Sequence, residues 1–507
     1  MVVLDGNPLS IDDVLAVARQ GARVEVGDEA RRRMAPSRAV VEELDSSDAV
    51  AYGVTTGFGA LADRAVQPAD RAALQRHVVL SHAAGMGAAL DDEVVRGMML
   101  LRARTLCAGY SGVRPLLPEA LVALLNAGLV PWVPEHGSLG ASGDLAPLAH
   151  VSACLLGEGW VWDGTERRPA AAALAEHGIE PIDVGPREGL ALINGTDGMS
   201  AVLTLAVADL AELLRAADVI AAMSVEALLG TTRAFAENAV ALRPAPGQAA
   251  SAANLRTMLA DSTLVASHRE SHHAVQDPYS LRCTPQVHGA ARDVHGFAHE
   301  CVLRELAAVV DNPMVLDGEV VSGGNFHGQA LAYAADMLAS VCADVAAISE
   351  RRLDRLLDPA RSRGLPAFLT ANPGLNSGLM ISQYTAAAMV VELRAAASPI
   401  AVHSMSTSAG QEDHVSMGFT AAMRTRRSIA GLRRVLAAEL IAAAQALELR
   451  APLRPGPATS AVVASLRVHV AHLDDDRVLA GDLDEAVKWL RGQSWRAALR
   501  GVADDLR

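Results

Sequence analysis

"HGSLGASGDLAPL" spans residues 136–148, and its reading decides how the rest of the chain is understood. Between Gly137 and Gly143, three of seven residues are glycine and two are serine, and an apolar run follows. Three readings stand side by side. The first is a turn leading into a helix capped by Ser142 or Asp144, because a short oxygen-bearing side chain there accepts a free amide of the first turn. The second is an anion-binding loop at a helix N-terminus, which the lack of a nearby lysine weakens. The third is chemical. The Gly143 nitrogen would attack the Ala141 carbonyl, a closure that small neighbours permit and glycine's backbone freedom assists. Loss of water from that ring and from the Ser142 side chain would leave a conjugated electrophile. It would lie beside the positive end of the helix that starts near Asp144.

The composition around this segment points to an all-α chain. Of 507 residues, 51% are hydrophobic but only 3% aromatic, so the core is built from Ala, Leu and Val, and Ala and Leu are strong helix formers. Length alone suggests about three domains. The placing of the loops favours two, an N-terminal domain over 1–200 and a long-helix bundle with a C-terminal helical region over 201–507.

A net charge of −14 argues against a nucleic-acid partner, which calls for basic patches. Cys107, Cys154, Cys283, Cys301 and Cys342 form no CxxC pair and are odd in number. Reduced thiols in a cytoplasmic setting are expected. The opening "MVVLDGNPLSIDD" has neither a basic nor an apolar leader region, so no secretory signal is expected. The longest apolar stretch, 198–229, is interrupted by Asp209, Glu212, Arg215, Asp218 and Glu226. A membrane span tolerates few such charges, so a buried helix is expected there. Lys488 is the only lysine among 44 basic residues. Pyridoxal chemistry needs a Schiff-base lysine and a P-loop needs GxxxxGK[ST], so both are disfavoured.

Along the chain, helices are expected at 70–84, 91–108 and 116–127, from Asp144 to about Leu156, over 198–229, and near 286–309, 328–356, 379–399 and 422–448. Two shorter helices should follow "APLRPGPATS" (451–460). Ser10 is placed to cap a helix over "IDDVLAVARQ". "GWVWDGTERRP" reads as a hairpin turning at Asp163-Gly164. Polar loops separate the helices: "AYGVTTGFGALA" (51–62), "LALINGTDG" (190–198), "SHRESHHAVQDPYSLRC" (267–283), "SGGNFHG" (322–328) and "STSAGQEDHVSM" (406–417). Loops on a rigid helical frame commonly carry function.

"GSLGASGDLAPLAH" resembles the signature of the histidine, phenylalanine and tyrosine ammonia-lyase family, and the resemblance recurs in every one of these loops through residues 50–450. It implies the all-α, L-aspartase/fumarase-like fold with a central bundle of long helices. It also implies a homotetramer with shared active sites, and a 4-methylidene-imidazol-5-one formed autocatalytically from Ala141-Ser142-Gly143, with no pyridoxal phosphate and no metal.

By the same resemblance, "YGVTTGFG" is the lid loop and Tyr52 the catalytic base. A phenol acts so only where charge or dipoles stabilise its anion. "VLSHAAG" places His82 at the substrate ring, with Ser81-His82 in the histidine-lyase form. "INGTDG" gives Asn194, holding the cofactor ring and a substrate polar group. "VQDPYSLR" gives Gln276, the catalytic Tyr279, and Arg282 for the substrate carboxylate, which a guanidinium fork fits. "GGNFHG" gives Phe326, lining the pocket. "QEDHVSM" gives Glu412, which would meet an imidazole. Facing a phenyl ring, that carboxylate would be a costly unpaired charge.

The implied reaction is non-oxidative deamination of L-histidine to trans-urocanate and ammonia, the first step of histidine degradation. Whether the substrate's amine or its imidazole meets the cofactor stays open. The alternatives are a tyrosine or phenylalanine ammonia-lyase or aminomutase, and an inactive helical scaffold.

Gly410, Thr284 and "NFHGQAL" depart from common family patterns, at positions without a chemical role. His288, His295 and His299 share helical spacing compatible with a metal, but without HExxH a polar helix face or subunit contact fits better. His272 and His273 read as loop residues, and whether the 267–277 loop binds a regulator stays open.

Overall fold

The computed structural model describes residues 1–47, 51–270 and 274–507, so His272 and His273 lie outside the described residues. The helices fall close to the sequence expectation: Arg71–His82, Asp92–Cys107, Leu116–Ala127, Leu145–Leu155, Asp197–Ala227, Thr284–Ala307, Gln329–Leu357, Met380–Ala396 and Gly418–Glu448. Ser10 caps the helix Ile11–Gln20 and exchanges hydrogen bonds with Asp13 in a full capping box. The hairpin forms between Trp160–Trp162 and Arg167–Pro169. Asp163 accepts the backbone amides of Thr165 and Glu166 at 2.9 Å each, which fixes its turn. Three helices rather than two follow residue 456: Pro457–Arg467, Ala480–Arg491 and Ser494–Leu499. The last is separate because Gln493 takes a left-handed conformation, φ 54°.

Contacts divide the chain into two compact units. The first comprises Met1–Ala206, Ala298–Asp336 and Pro399–Met423; the second comprises Val207–Phe297, Met337–Ser398 and Arg424–Arg507. The chain leaves the first unit after Ala206 and returns to it twice. Four of the changeovers fall inside the helices Asp197–Ala227, Thr284–Ala307, Gln329–Leu357 and Gly418–Glu448. No linker composition marks such points.

Two groups of helices organise the first unit. Asp92–Cys107, buried at nearly every position from Val94 onward, packs on Ile11–Gln20 and Leu116–Ala127. Arg71–His82, Leu145–Leu155 and Glu188–Ile193 pack on one another. This second group positions the site: one helix ends at His82, one starts just after the Ala141–Gly143 segment, and one runs into Asn194. Short strands complete the unit. Val2–Leu4 pairs in parallel with Val24–Val26, and Met86–Ala89 pairs antiparallel with Pro134–His136.

In the second unit, Pro246–Met258 packs on Pro457–Arg467, which packs on Ser494–Leu499. Arg352 and Glu439 form a fully buried pair at 2.5 Å, and Ser224 and Ser349 each donate to the same carboxylate at 2.6 Å. Such a pair is tolerated only when every lone pair is engaged. Gln329–Leu357 is the one helix among the described residues long and apolar enough to cross a membrane, and about two thirds of its apolar window (67%) is buried.

Candidate active site

The Ala141–Gly143 segment is a tight left-handed turn. Ser142 has φ 50° and Gly143 has φ 76°, a region costly for residues with a Cβ. Gly143 pairs with both Gly140 and Gly195. A Cβ on Gly143 would stand 2.1 Å from the Gly195 carbonyl oxygen, and one on Gly140 would stand 2.2 Å from the Ser416 Oγ. Neither glycine can be anything else without moving its neighbour.

Asp144 begins the following helix but does not cap it through its side chain; the expected capping bond is replaced by contacts elsewhere. Its carboxylate accepts the Met199 amide at 2.7 Å and the Ser138 hydroxyl at 2.7 Å, while its own amide donates to the Gly195 carbonyl at 2.7 Å. Burial pushes the Asp144 carboxyl up to about 7, against the opposing pull of those hydrogen bonds.

That shift sets a direction. The folded group holds its proton to higher pH than the unfolded one, so stability is greatest at low pH and falls as pH rises through the window from about 4 to 7. Asp144→Asn removes the dependence. Its melting temperature relative to the parent's should therefore climb between those pH values and then level off. Parallel pH profiles for the two proteins would show that the carboxyl titrates normally.

Asn194 is 1% exposed. Its Nδ2 donates to the Asp311 carboxylate at 3.2 Å and to the Asn312 carbonyl. Its Oδ1 is buried with no hydrogen-bond partner among the described residues. A buried acceptor left open is costly, and here it lies next to Gly195, on which Gly143 is seated. Two buried ion pairs brace it: Arg102 with Asp197 at 3.1 Å, and Arg187 with Asp311 at 2.7 Å. Arg102 also donates to the Asn194 carbonyl.

Tyr52 is half-buried, its oxygen accepting the Gly59 amide at 3.2 Å and its ring edge-on to Phe58. The backbone amide supplies a dipole aimed at the phenol oxygen. Ala60 donates to Ser408 Oγ at 3.3 Å, which ties the 51–62 loop to the 407–412 turn. Within that turn Thr407 donates to the Glu412 carboxylate at 2.9 Å. The same strand of chain is tied back to the opening loop, for Met417 donates to the Leu139 carbonyl at 2.9 Å.

His82 ends its helix with Nδ1 against Ser81 Oγ at 3.1 Å. Three residues on, the Gly85 amide donates to His150 Nε2 at 3.0 Å. Burial lowers the His150 pKa to about 4, so its ring is a neutral acceptor. Phe326 is half-buried. Its segment is fixed at Gly328, where a Cβ would stand 2.2 Å from Met199 Sδ.

Gln75 joins these parts and gave no sequence signal. It is fully buried, donates to the Gly53 carbonyl at 3.2 Å and accepts the Leu190 amide at 3.2 Å. One side chain thus links the residue after Tyr52, the helix carrying His82 and the helix leading to Asn194. Through this web the first unit brings together the segments bearing Tyr52, His82, Ala141–Gly143, Asn194, Phe326 and Glu412.

Gln276, Tyr279 and Arg282 belong to the second unit. Gln276 is exposed and Tyr279 is 72% exposed. The Arg282 guanidinium lies over the Tyr279 ring at 4.7 Å. The histidines weighed as metal ligands are engaged otherwise: His288 Nδ1 meets Asp218 at 2.8 Å and His295 Nε2 meets the Val207 carbonyl at 2.8 Å. Among the described residues no three His, Cys, Asp or Glu side chains converge in a metal-holding group.

Comparison with known proteins identifies the family. The aromatic amino acid lyase family profile matches residues 9–468. The chain is 51% identical to histidine ammonia-lyase from Streptomyces coelicolor, with 100% of this chain and 99% of that protein covered. Among solved structures, tyrosine aminomutase from Streptomyces globisporus has a TM-score of 0.94 at 36% identity, over 100% of both chains. Histidine ammonia-lyase from Trypanosoma cruzi has a TM-score of 0.91 at 39% identity, over 99% of this chain and 96% of that one. The fold is the mostly helical, fumarase-like one of these enzymes. The chain belongs to the aromatic amino acid lyase family.

Proposed function

We propose that this protein is a histidine ammonia-lyase, converting L-histidine to trans-urocanate and ammonia. The observation that carries the reading is the left-handed Ser142–Gly143 turn seated on Gly195, beside the open buried oxygen of Asn194. The turn fits a 4-methylidene-imidazol-5-one made from Ala141, Ser142 and Gly143: its backbone is already folded back, and Gly143 has no room for a side chain. That group supplies an electrophile that makes a poor leaving group depart.

The remaining work falls to side chains. Arg282 holds the substrate carboxylate, and Gln276 assists beside it. His82 and Glu412 hold the imidazole, the carboxylate gaining a charge-assisted hydrogen bond. Phe326 walls the ring. Asn194 Oδ1 accepts a substrate N–H, which satisfies its open lone pair. Tyr52, having first given up its own proton, takes the β-proton onto the oxygen that accepts the Gly59 amide, and ends the step as the neutral phenol. Tyr279 acts as a second catalytic hydroxyl. No pyridoxal phosphate is involved, and Lys488 supports this, being a 71% exposed side chain paired with Glu485. No metal is required.

Substrate choice rests on Glu412 and on the identity to histidine ammonia-lyases. A homotetramer with shared active sites is part of the proposal. Its support is the helix Met380–Ala396, which leaves Ile381, Tyr384 and Val391 each more than half exposed, an apolar face suited to another subunit. The five unpaired cysteines, four of them buried, support a cytoplasmic location. Nucleic acid and membrane are not partners in this reading.

The likeness to tyrosine aminomutase keeps one rival in view. Purified protein given L-histidine should produce the absorbance of urocanate, and given L-tyrosine should produce no coumarate or β-tyrosine. The reverse pattern would move the assignment to the tyrosine enzymes. Turnover of neither would favour an inactive scaffold.

A further inference from the structure

We propose that Asp277 is the positioning residue for Arg282, holding its guanidinium so that only the two terminal nitrogens face a substrate carboxylate. The proposal rests on the reading of Arg282 given above. Asp277 is 5% exposed and belongs with all its partners to the second unit. One carboxylate oxygen accepts the Thr231 amide at 2.6 Å and the other accepts Arg363 Nη2 at 2.9 Å. Arg363 is itself anchored: its Nη1 donates to the Leu228 carbonyl at 2.9 Å, and its own carbonyl accepts Arg450 Nη1 at 2.8 Å. Both ends of the Asp277 side chain are therefore fixed, and with them the backbone at that point.

The backbone carbonyl of Asp277 then accepts Arg282 Nε at 2.9 Å. The Tyr279 ring lies beneath the guanidinium at 4.7 Å, which sets its plane. Among the described residues neither Nη atom has a hydrogen-bond partner. With Nε spent, a side-on fork is closed to a ligand and the end-on Nη1/Nη2 pair remains. That pair is the geometry of a bidentate grip on a carboxylate. A cavity of about 660 Å³ opens beside it, lined by Gln276, Asp277 and Arg282 together with Thr231, Arg233 and His268. Asp277 touches no ligand in this scheme; it acts through Arg282 alone.

The test is a double-mutant cycle on KM and kcat for L-histidine. Arg282→Gln should raise KM strongly. Asp277→Asn keeps the size of the side chain but replaces one acceptor by a donor facing a donor. It should raise KM about tenfold while kcat stays within about threefold, as expected when ground-state binding is lost. The dehydrated mass of the Ala141–Gly143 segment should be unchanged. In the Arg282→Gln background, Asp277→Asn should raise KM no further, the non-additivity of residues acting as one unit. A rise as large there as in the parent would overturn the proposal, since Asp277 would then act independently of Arg282. Should Asp277→Asn not fold, Arg363→Lys goes through the same cycle with the same two outcomes. An Arg282→Gln variant with an unchanged KM would instead sink the carboxylate reading itself, and the proposal with it.

Discussion

Ser142→Ala is expected to cut deamination of L-histidine by about a thousandfold or more, a barrier increase of roughly 4 kcal/mol. The helical fold should be left intact. In the proposed chemistry the serine hydroxyl must leave as water to make the electrophile, and alanine has nothing to eliminate. Among the described residues the Ser142 side chain makes no hydrogen bond, so no contact there is lost with that oxygen. Its left-handed backbone, φ 50°, costs alanine no more than it costs serine. Urocanate formation and the melting temperature should therefore separate, the first lost and the second unchanged. A fully active variant would remove the cofactor from the account.

Tyr52→Phe should lower kcat by about a hundredfold to ten-thousandfold, the usual range for losing a positioned base. Stability should change little, since the hydroxyl makes one 3.2 Å contact with the Gly59 amide and the ring keeps its edge-on packing with Phe58. KM should move little, because in the proposed mechanism Tyr52 meets the substrate at the proton it removes rather than at the groups that hold it. A kcat within threefold of the parent would require another base.

The frame of the molecule was readable because its helices are long and rich in Ala and Leu, so periodicity accumulates over many turns. Thr284–Ala307 against an expected 286–309 is typical of the small differences in helix ends. The pairing of Val2–Leu4 with Val24–Val26 was not readable, since three residues carry almost no period. Nor was the split into two units, because four of its changeovers fall inside continuous helices. The polar loops between the helices stood out because their residue types are unusual against an Ala- and Leu-rich background. What supports them was not. Gln75 sits in the ordinary helix "RAALQRHVVLSH", and its two backbone partners are 22 and 115 residues away. Asp144 reads as a helix cap, yet its carboxylate reaches Met199, 55 residues on. Arg102 and Asp197 are unremarkable in sequence and pair only once the chain is folded. Local chemistry is written in neighbouring residues, whereas positioning comes from contacts between distant ones.

The central claim is that Ala141, Ser142 and Gly143 rearrange into a ring. A mass spectrum of the peptide containing them, taken from folded and active protein, tests it most directly. Ring closure and serine dehydration each release a water, so the peptide should be two waters lighter than its sequence requires. A peptide at full mass from protein that still deaminates L-histidine would contradict the account.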